Sequence, residues 1–111
     1  MKEISAEEYE LLGLFEREPE RQGLDDLWLF DDSVYTATQE NLKLTVAIHP
    51  YHKDVRIILW LGDREVYEYS AMDVQDIKVH KDSLRIDINP NQAININIRP
   101  LIDIKHEATK T

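Results

Sequence analysis

From Leu42 onward the chain alternates. Leu42, Leu44, Val46 and Ile48 are interleaved with Lys43, Thr45, Ala47 and His49, and a side-chain period of two is the mark of a half-buried β-strand. After the loop Pro50-Tyr51-His52-Lys53-Asp54, the residues Val55, Ile57, Leu59 and Leu61 repeat the pattern, with Ile58 and Trp60 on the opposite face. Apolar residues on both faces predict a central strand or a covered one. The N-terminal helix described below and the Trp28–Phe30 island are the candidate covers. Gly62-Asp63 reads as a two-residue hairpin turn, because glycine supplies the positive φ that such turns require. Val66, Tyr67 and Tyr69 then continue as a third strand, and Ile77 with Val79 forms a fourth up to the turn Lys81-Asp82. Leu84, Ile86 and Ile88 make a fifth, ended by Asn89-Pro90-Asn91. Ile94, Ile96 and Ile98 make a sixth, and Leu101 to Ile104 a seventh at an edge, where the preceding Pro100 is tolerated. Asn95 and Asn97 flank isoleucines in the sixth, an aggregation risk if that strand were at an edge. Connections this short force antiparallel pairing, since a parallel crossover needs a dozen residues or more.

The first forty residues read differently. Ser5 followed by Glu8 predicts a capping box, and Ile4, Leu11, Leu12 and Phe15 fall at helical spacing. Gly13 weakens this helix by about 1 kcal/mol relative to alanine, so the helix depends on docking. Pro19 and Gly23 end it. Leu24, Leu27, Trp28, Leu29 and Phe30 form an apolar island between Asp25-Asp26 and Asp31-Asp32, readable as strand or as helical turn, and Val34 to Thr38 is strand-like. The expected fold is therefore α+β and β-dominant: an antiparallel meander of six or seven strands, as a curved sheet, sandwich or half-barrel, with one N-terminal helix packed on it. The 111 residues are one domain's worth of chain. Within it, 1–40 is an acidic helix plus an irregular segment, 41–105 the meander, and 106–111 a frayed tail.

Charge follows the same boundary. Residues 1–40 hold twelve Asp and Glu against three Lys and Arg, whereas 41–111 hold ten of each, so the whole net charge of −9 belongs to the first forty. An acidic chain lacks the clustered cations that phosphate backbones demand, which excludes direct nucleic-acid binding from the expectation. The longest apolar run, Val55 to Leu61, falls far short of the roughly 18 residues of a membrane span, and no signal peptide is visible. Without cysteine there are no disulfides, thiolate metal sites or cysteine nucleophiles, which fits a cytoplasmic location.

Chemistry is concentrated in few places. His49, His52 and Asp54 lie within six residues and are weak candidates for a metal, but their spacing matches no metal motif and Lys53 sits among them, so no metal and no cofactor are expected. Asp25, Asp26, Asp31 and Asp32 lack the alternation of a calcium loop and read as residues bracketing a buried island. Three glycines leave no room for a phosphate loop, and no serine has a nucleophile-elbow context. Catalysis is not expected. What remains is an acidic N-terminal face on a neutral scaffold, the physical form of a small interaction module such as an inhibitor or immunity-type protein that binds a basic partner. In that reading Glu7, Glu8, Glu10, Asp25, Asp26, Asp31 and Asp32 steer, and Trp28 or Tyr67 anchors. Two alternatives stay open: a half-barrel binding a small molecule or lipid under Trp60, and a metal-dependent activity at His49 and His52. Sheet edges also make a homodimer an option.

Overall fold

The computed structural model describes residues 4–16, 20–21 and 33–108. Helix α1 (Glu8–Phe15) is followed by the two-residue β1 (Glu20–Arg21) and then by β2 (Ser33–Gln39), β3 (Leu42–His49), β4 (Asp54–Leu61) and β5 (Arg64–Ala71). After these come β6 (Asp76–His80), β7 (Ser83–Asn89), β8 (Gln92–Asn97) and β9 (Asp103–Ala108). Neighbours in sequence are neighbours in space. One sheet has the order β1-β2-β3-β4-β5 and the other β6-β7-β8-β9, and every pairing is antiparallel. The β-dominant α+β fold with its docked helix is as the alternation predicts. The meander divides into two sheets, the sandwich among the expected forms, and has nine strands among the described residues rather than the expected six or seven. The additional ones are β2, over the stretch Val34 to Thr38 read as strand-like, and the two-residue β1, too short to show a period.

Two-residue turns join β2 to β3, β4 to β5, β6 to β7 and β7 to β8, as the pairs Gln39–Leu42, Leu61–Arg64, His80–Ser83 and Asn89–Gln92 show. Gly62 adopts φ 64° in the second, as its position demands, while Glu40 and Lys81 take φ 53° and 55° in the first and third. The Asn89 carboxamide accepts from the Asn91 amide at 2.8 Å and fixes the fourth.

The alternation decides which face is buried. Tyr35, Leu44, Val46, Ile48, Val55 and Ile57 from the first sheet meet Ile77, Leu84, Ile86, Ile94 and Ile96 from the second in one apolar cluster. Leu11, Leu14 and Phe15 of α1 join it, the Phe15 ring stacking on Tyr35 at 5.2 Å. Strand β4 is an interior strand, flanked by β3 and β5, and carries apolar residues on its outer face as well. The helix does not cover them; it packs on β2 and β6, closing the side of the sandwich between those two strands. Trp60 thus lies on the outer face with Lys43 at 5.2 Å over its ring. Strand β8 is flanked by β7 and β9, which removes the edge that made its Asn/Ile pattern hazardous.

Clamps fix the remaining joints. Arg99 donates from Nη1 to the Leu14 carbonyl at 2.8 Å and from Nε to Asp82 Oδ1 at 3.0 Å, and pairs with Glu16 at 3.2 Å. It thereby ties the end of α1, where a cation complements the helix dipole, to the β6–β7 turn. Gln39 donates to the Pro100 carbonyl at 2.5 Å and accepts from the Ile102 amide at 2.9 Å, holding the β8–β9 connection against the first sheet. The tail expected from His106 onward begins inside β9, which runs to Ala108 and pairs His106 with Ile94.

Core and near-core positions should respond in opposite senses. Ile57 is fully buried, so Ile57→Ala should cost about 2–5 kcal/mol in urea unfolding. Ser33 is equally buried, with no partner for its hydroxyl among the described residues, so Ser33→Ala should be neutral or stabilising by up to about 1 kcal/mol. A large loss on Ser33→Ala would show that the hydroxyl is satisfied.

Candidate interaction surface

The helix begins two residues later than the Ser5/Glu8 pattern suggests. Its N-cap is Glu7, whose amide donates to Glu10 Oε1 at 2.9 Å. Ser5 is used elsewhere. Its amide and hydroxyl donate to Asp76 Oδ1 and Oδ2 at 2.6 and 2.5 Å, while the next amide, Ala6, donates to the Ile77 carbonyl at 2.7 Å. A carboxylate with two free oxygens is a stronger acceptor than a helix-start amide is a partner, so tertiary contact overrides the local box. The result docks residues 4–6 beside β6, whose free edge they cover. Burial by itself pushes the Asp76 carboxyl up. The hydrogen bonds from the Ser5 hydroxyl and amide and from the Ile77 amide, with the nearby Lys78 charge, outweigh it and hold the carboxyl below its usual range.

This anchor presents the acidic first turn outward. Glu7 is exposed, Glu8 and Glu10 are half-buried, and Tyr9 between them is 73% exposed. None of these three carboxylates forms an ion pair among the described residues, whereas the charges of the second sheet neutralise one another: Lys78 and Arg85 with Asp87, Arg85 with Glu107, Lys105 with Asp103. Asp25, Asp26, Trp28, Asp31 and Asp32 lie outside the described residues.

Tyr67 is half-buried and turned toward the second sheet. Its hydroxyl bonds to His106 Nε2, and the His106 ring meets Tyr69 edge-on at 5.2 Å. Burial and then the neighbouring Tyr69 raise the Tyr67 pKa. Tyr67 therefore closes the seam between β5 and β9 instead of standing free as an anchor, a role that only the placement of His106 reveals.

The β3–β4 turn carries the histidines. His49 Nδ1 accepts from the His52 amide at 3.3 Å, the two rings lie 4.4 Å apart, and Asp54 Oδ1 accepts from the Asp73 amide at 3.1 Å. These atoms serve the turn, and among the described residues no group of three or more His, Asp or Glu converges as a metal site would require. The metal alternative has no support there. Among the described residues the inner faces of the two sheets fill one cluster, and Trp60 lines none of the five clefts seen there, which gives the half-barrel no support. Among the described residues no helix is long and apolar enough to cross a membrane. Sequence reasoning passed over Met72, which is 80% exposed in the β5–β6 connection beside this turn. Its signal was an apolar residue placed where the alternation stops.

Taken together these features define a two-sheet antiparallel β-sandwich with an acidic helix locked along one side. The same fold occurs in one chain of the contact-dependent growth inhibition toxin–immunity protein complex from Klebsiella pneumoniae 342. That chain matches with a TM-score of 0.82 over 96% of this chain and 97% of its own, at 24% sequence identity. No family model matches the sequence, and no curated protein does.

The Asp76 anchor has a defined pH dependence. Because its folded pKa is depressed, its stabilisation is present above the ordinary carboxylate value of about 3.9 and is lost as pH falls through the lower folded value. Asp76→Asn should lower Tm at pH 7, and the gap to wild type should narrow in melts carried below about pH 3.9. A gap that is constant across that range would mean the carboxylate charge plays no part.

Proposed function

We propose that this chain is a small, non-catalytic, immunity-type protein that acts in the cytoplasm by binding a toxin-like protein partner with a basic surface. The observation that carries the reading is the agreement of fold, along nearly the whole of both chains, with a chain from a toxin–immunity protein complex. Its charge supports the same reading. A net −9 gathered in the first forty residues, with Glu7 and Glu8 in no ion pair among the described residues, speeds encounter with a cationic surface and disfavours acidic ones. Such steering acts over about 8–10 Å at physiological salt, so it selects and orients, while affinity comes from contacts at close range. The cysteine-free sequence supports the choice of a reducing compartment.

The test is co-expression with the polypeptide encoded beside it and, in parallel, with the toxin of the Klebsiella pneumoniae 342 complex, scored by growth and by co-purification. One of them should be neutralised in a stable complex. Its association rate should fall at least about tenfold between roughly 50 and 300 mM salt, and Glu7→Gln with Glu8→Gln should slow association while leaving dissociation unchanged. Failure of both to bind removes the reading; binding whose rate ignores salt and these substitutions removes the acidic steering.

A further inference from the structure

The loops at one end of the sandwich carry exposed apolar side chains, among them Tyr51, whose ring meets His52 edge-on at 5.4 Å. Met72 is 80% and Tyr51 40% exposed. They line a common cleft of about 340 Å³ with His52, Lys53, Asp54 and Asp73. On its other flank Met72 lines a second cleft of about 330 Å³, walled by Val34, Ala47, Val55 and Ala71 of the first sheet. Met72 is thus a ridge between two shallow, largely apolar depressions. An isolated exposed apolar side chain needs no explanation, but a ridge flanked by two such clefts has the relief of a recognition surface.

The ridge is held in place. The Val74 amide donates to the Lys53 carbonyl at 2.9 Å and the Asp73 amide to Asp54 Oδ1 at 3.1 Å, so the two loops are bonded to each other. The Lys53 amide closes its own turn on the His49 carbonyl at 2.8 Å, and Pro50 and Val74 are buried beneath. Lys53 and Asp73 sit at φ 58° and 53°, left-handed conformations that residues with side chains adopt at a cost and that these cross-links maintain. A surface fixed before binding loses little entropy when a partner arrives.

Charge decides the occupant. Asp54 and Asp73 form no ion pair among the described residues, unlike Asp82, Asp87 and Asp103, and Lys53 is the single cation lining their cleft. Arg56, in the second cleft, is already committed to Glu68. The lining therefore combines apolar side chains with an excess of negative charge, two carboxylates against one ammonium. A second copy of this chain would bring like carboxylates together, whereas a basic protein surface would pair with them. Resting on the binding role proposed above, we infer that this end is where the basic partner docks. Met72 and Tyr51 are its apolar anchors, and Asp54 and Asp73 receive a Lys or Arg of the partner.

The experiment uses the full chain and whichever toxin polypeptide the wild type captures. Met72→Ser with Tyr51→Ser should weaken Kd by at least about 30-fold, chiefly through faster dissociation. Asp54→Asn, which keeps the acceptor for the Asp73 amide, combined with Asp73→Asn should weaken it and reduce its salt dependence. Leu61→Ser with Val66→Ser, exposed apolar positions in and beside the β4–β5 hairpin, serves as the control and should stay within about twofold of wild type, as is usual outside a hot spot. Unchanged melting temperatures confirm that each variant is folded. Tight binding by wild type and by the Met72/Tyr51 variant alike overturns this surface and leaves the proposed function standing. A concentration-dependent dimer of wild type that the same variant abolishes overturns it in favour of a second copy. Absence of any complex with wild type overturns the function and this surface together.

Discussion

Two sheets, each apolar on one face, persist in water only by burying those faces against each other, and the rest of this structure depends on how the sides of that sandwich are closed. On one side α1 lies between β2 and β6 and contributes Leu11, Leu14 and Phe15 to the shared cluster. On the other, Tyr67 and Tyr69 of β5 meet His106 of β9. Both closures are made by amphipathic groups, in which an apolar body faces the core and a polar atom finds a partner at the rim. The helix is short and holds a glycine, so its place depends on Asp76 and Arg99, one gripping the chain just before it and the other its last turn.

The charges are distributed by the same logic. The outer face of the second sheet is a self-neutralising lattice of Lys78, Arg85, Asp87 and Glu107, which adds solubility and little else, as exposed ion pairs usually do. Among the described residues, carboxylates outside any ion pair include those on the first turn of α1 and at the loops around Met72. The first group arises from a helix that must begin with acids to satisfy its own dipole, and its anchoring by Asp76 turns a local preference into a fixed surface. The second arises from loops cross-linked by the Val74 amide to the Lys53 carbonyl and by the Asp73 amide to Asp54 Oδ1, which leaves the Asp73 carboxylate and the other Asp54 oxygen for outside contact.

The sandwich was largely legible where side chains alternate without competition. Residues 42–61 predict β3 and β4 almost to the residue, and the turns at Gly62-Asp63, Lys81-Asp82 and Pro90-Asn91 fall where glycine, aspartate and proline signal them. Legibility failed where a residue's partner is distant in the chain. Ser5 carries a good local capping pattern but bonds 71 residues away. Tyr67 reads as an exposed recognition residue until His106, 39 residues on, is brought against it. Of the candidate site, the acidic character was visible in the composition, whereas Met72 and Asp73 acquire meaning only once the β5–β6 connection lies beside the β3–β4 turn.

By itself the sequence determined periodicity, and with it the strands, their antiparallel order and the faces they bury, because period and turn chemistry act between residues a few positions apart. Where the meander breaks into two sheets, which carboxylates are neutralised and which exposed side chains stand together was decided only by tertiary structure. Those outcomes depend on energies between groups tens of residues apart, which exist only when the sheets have closed on their core.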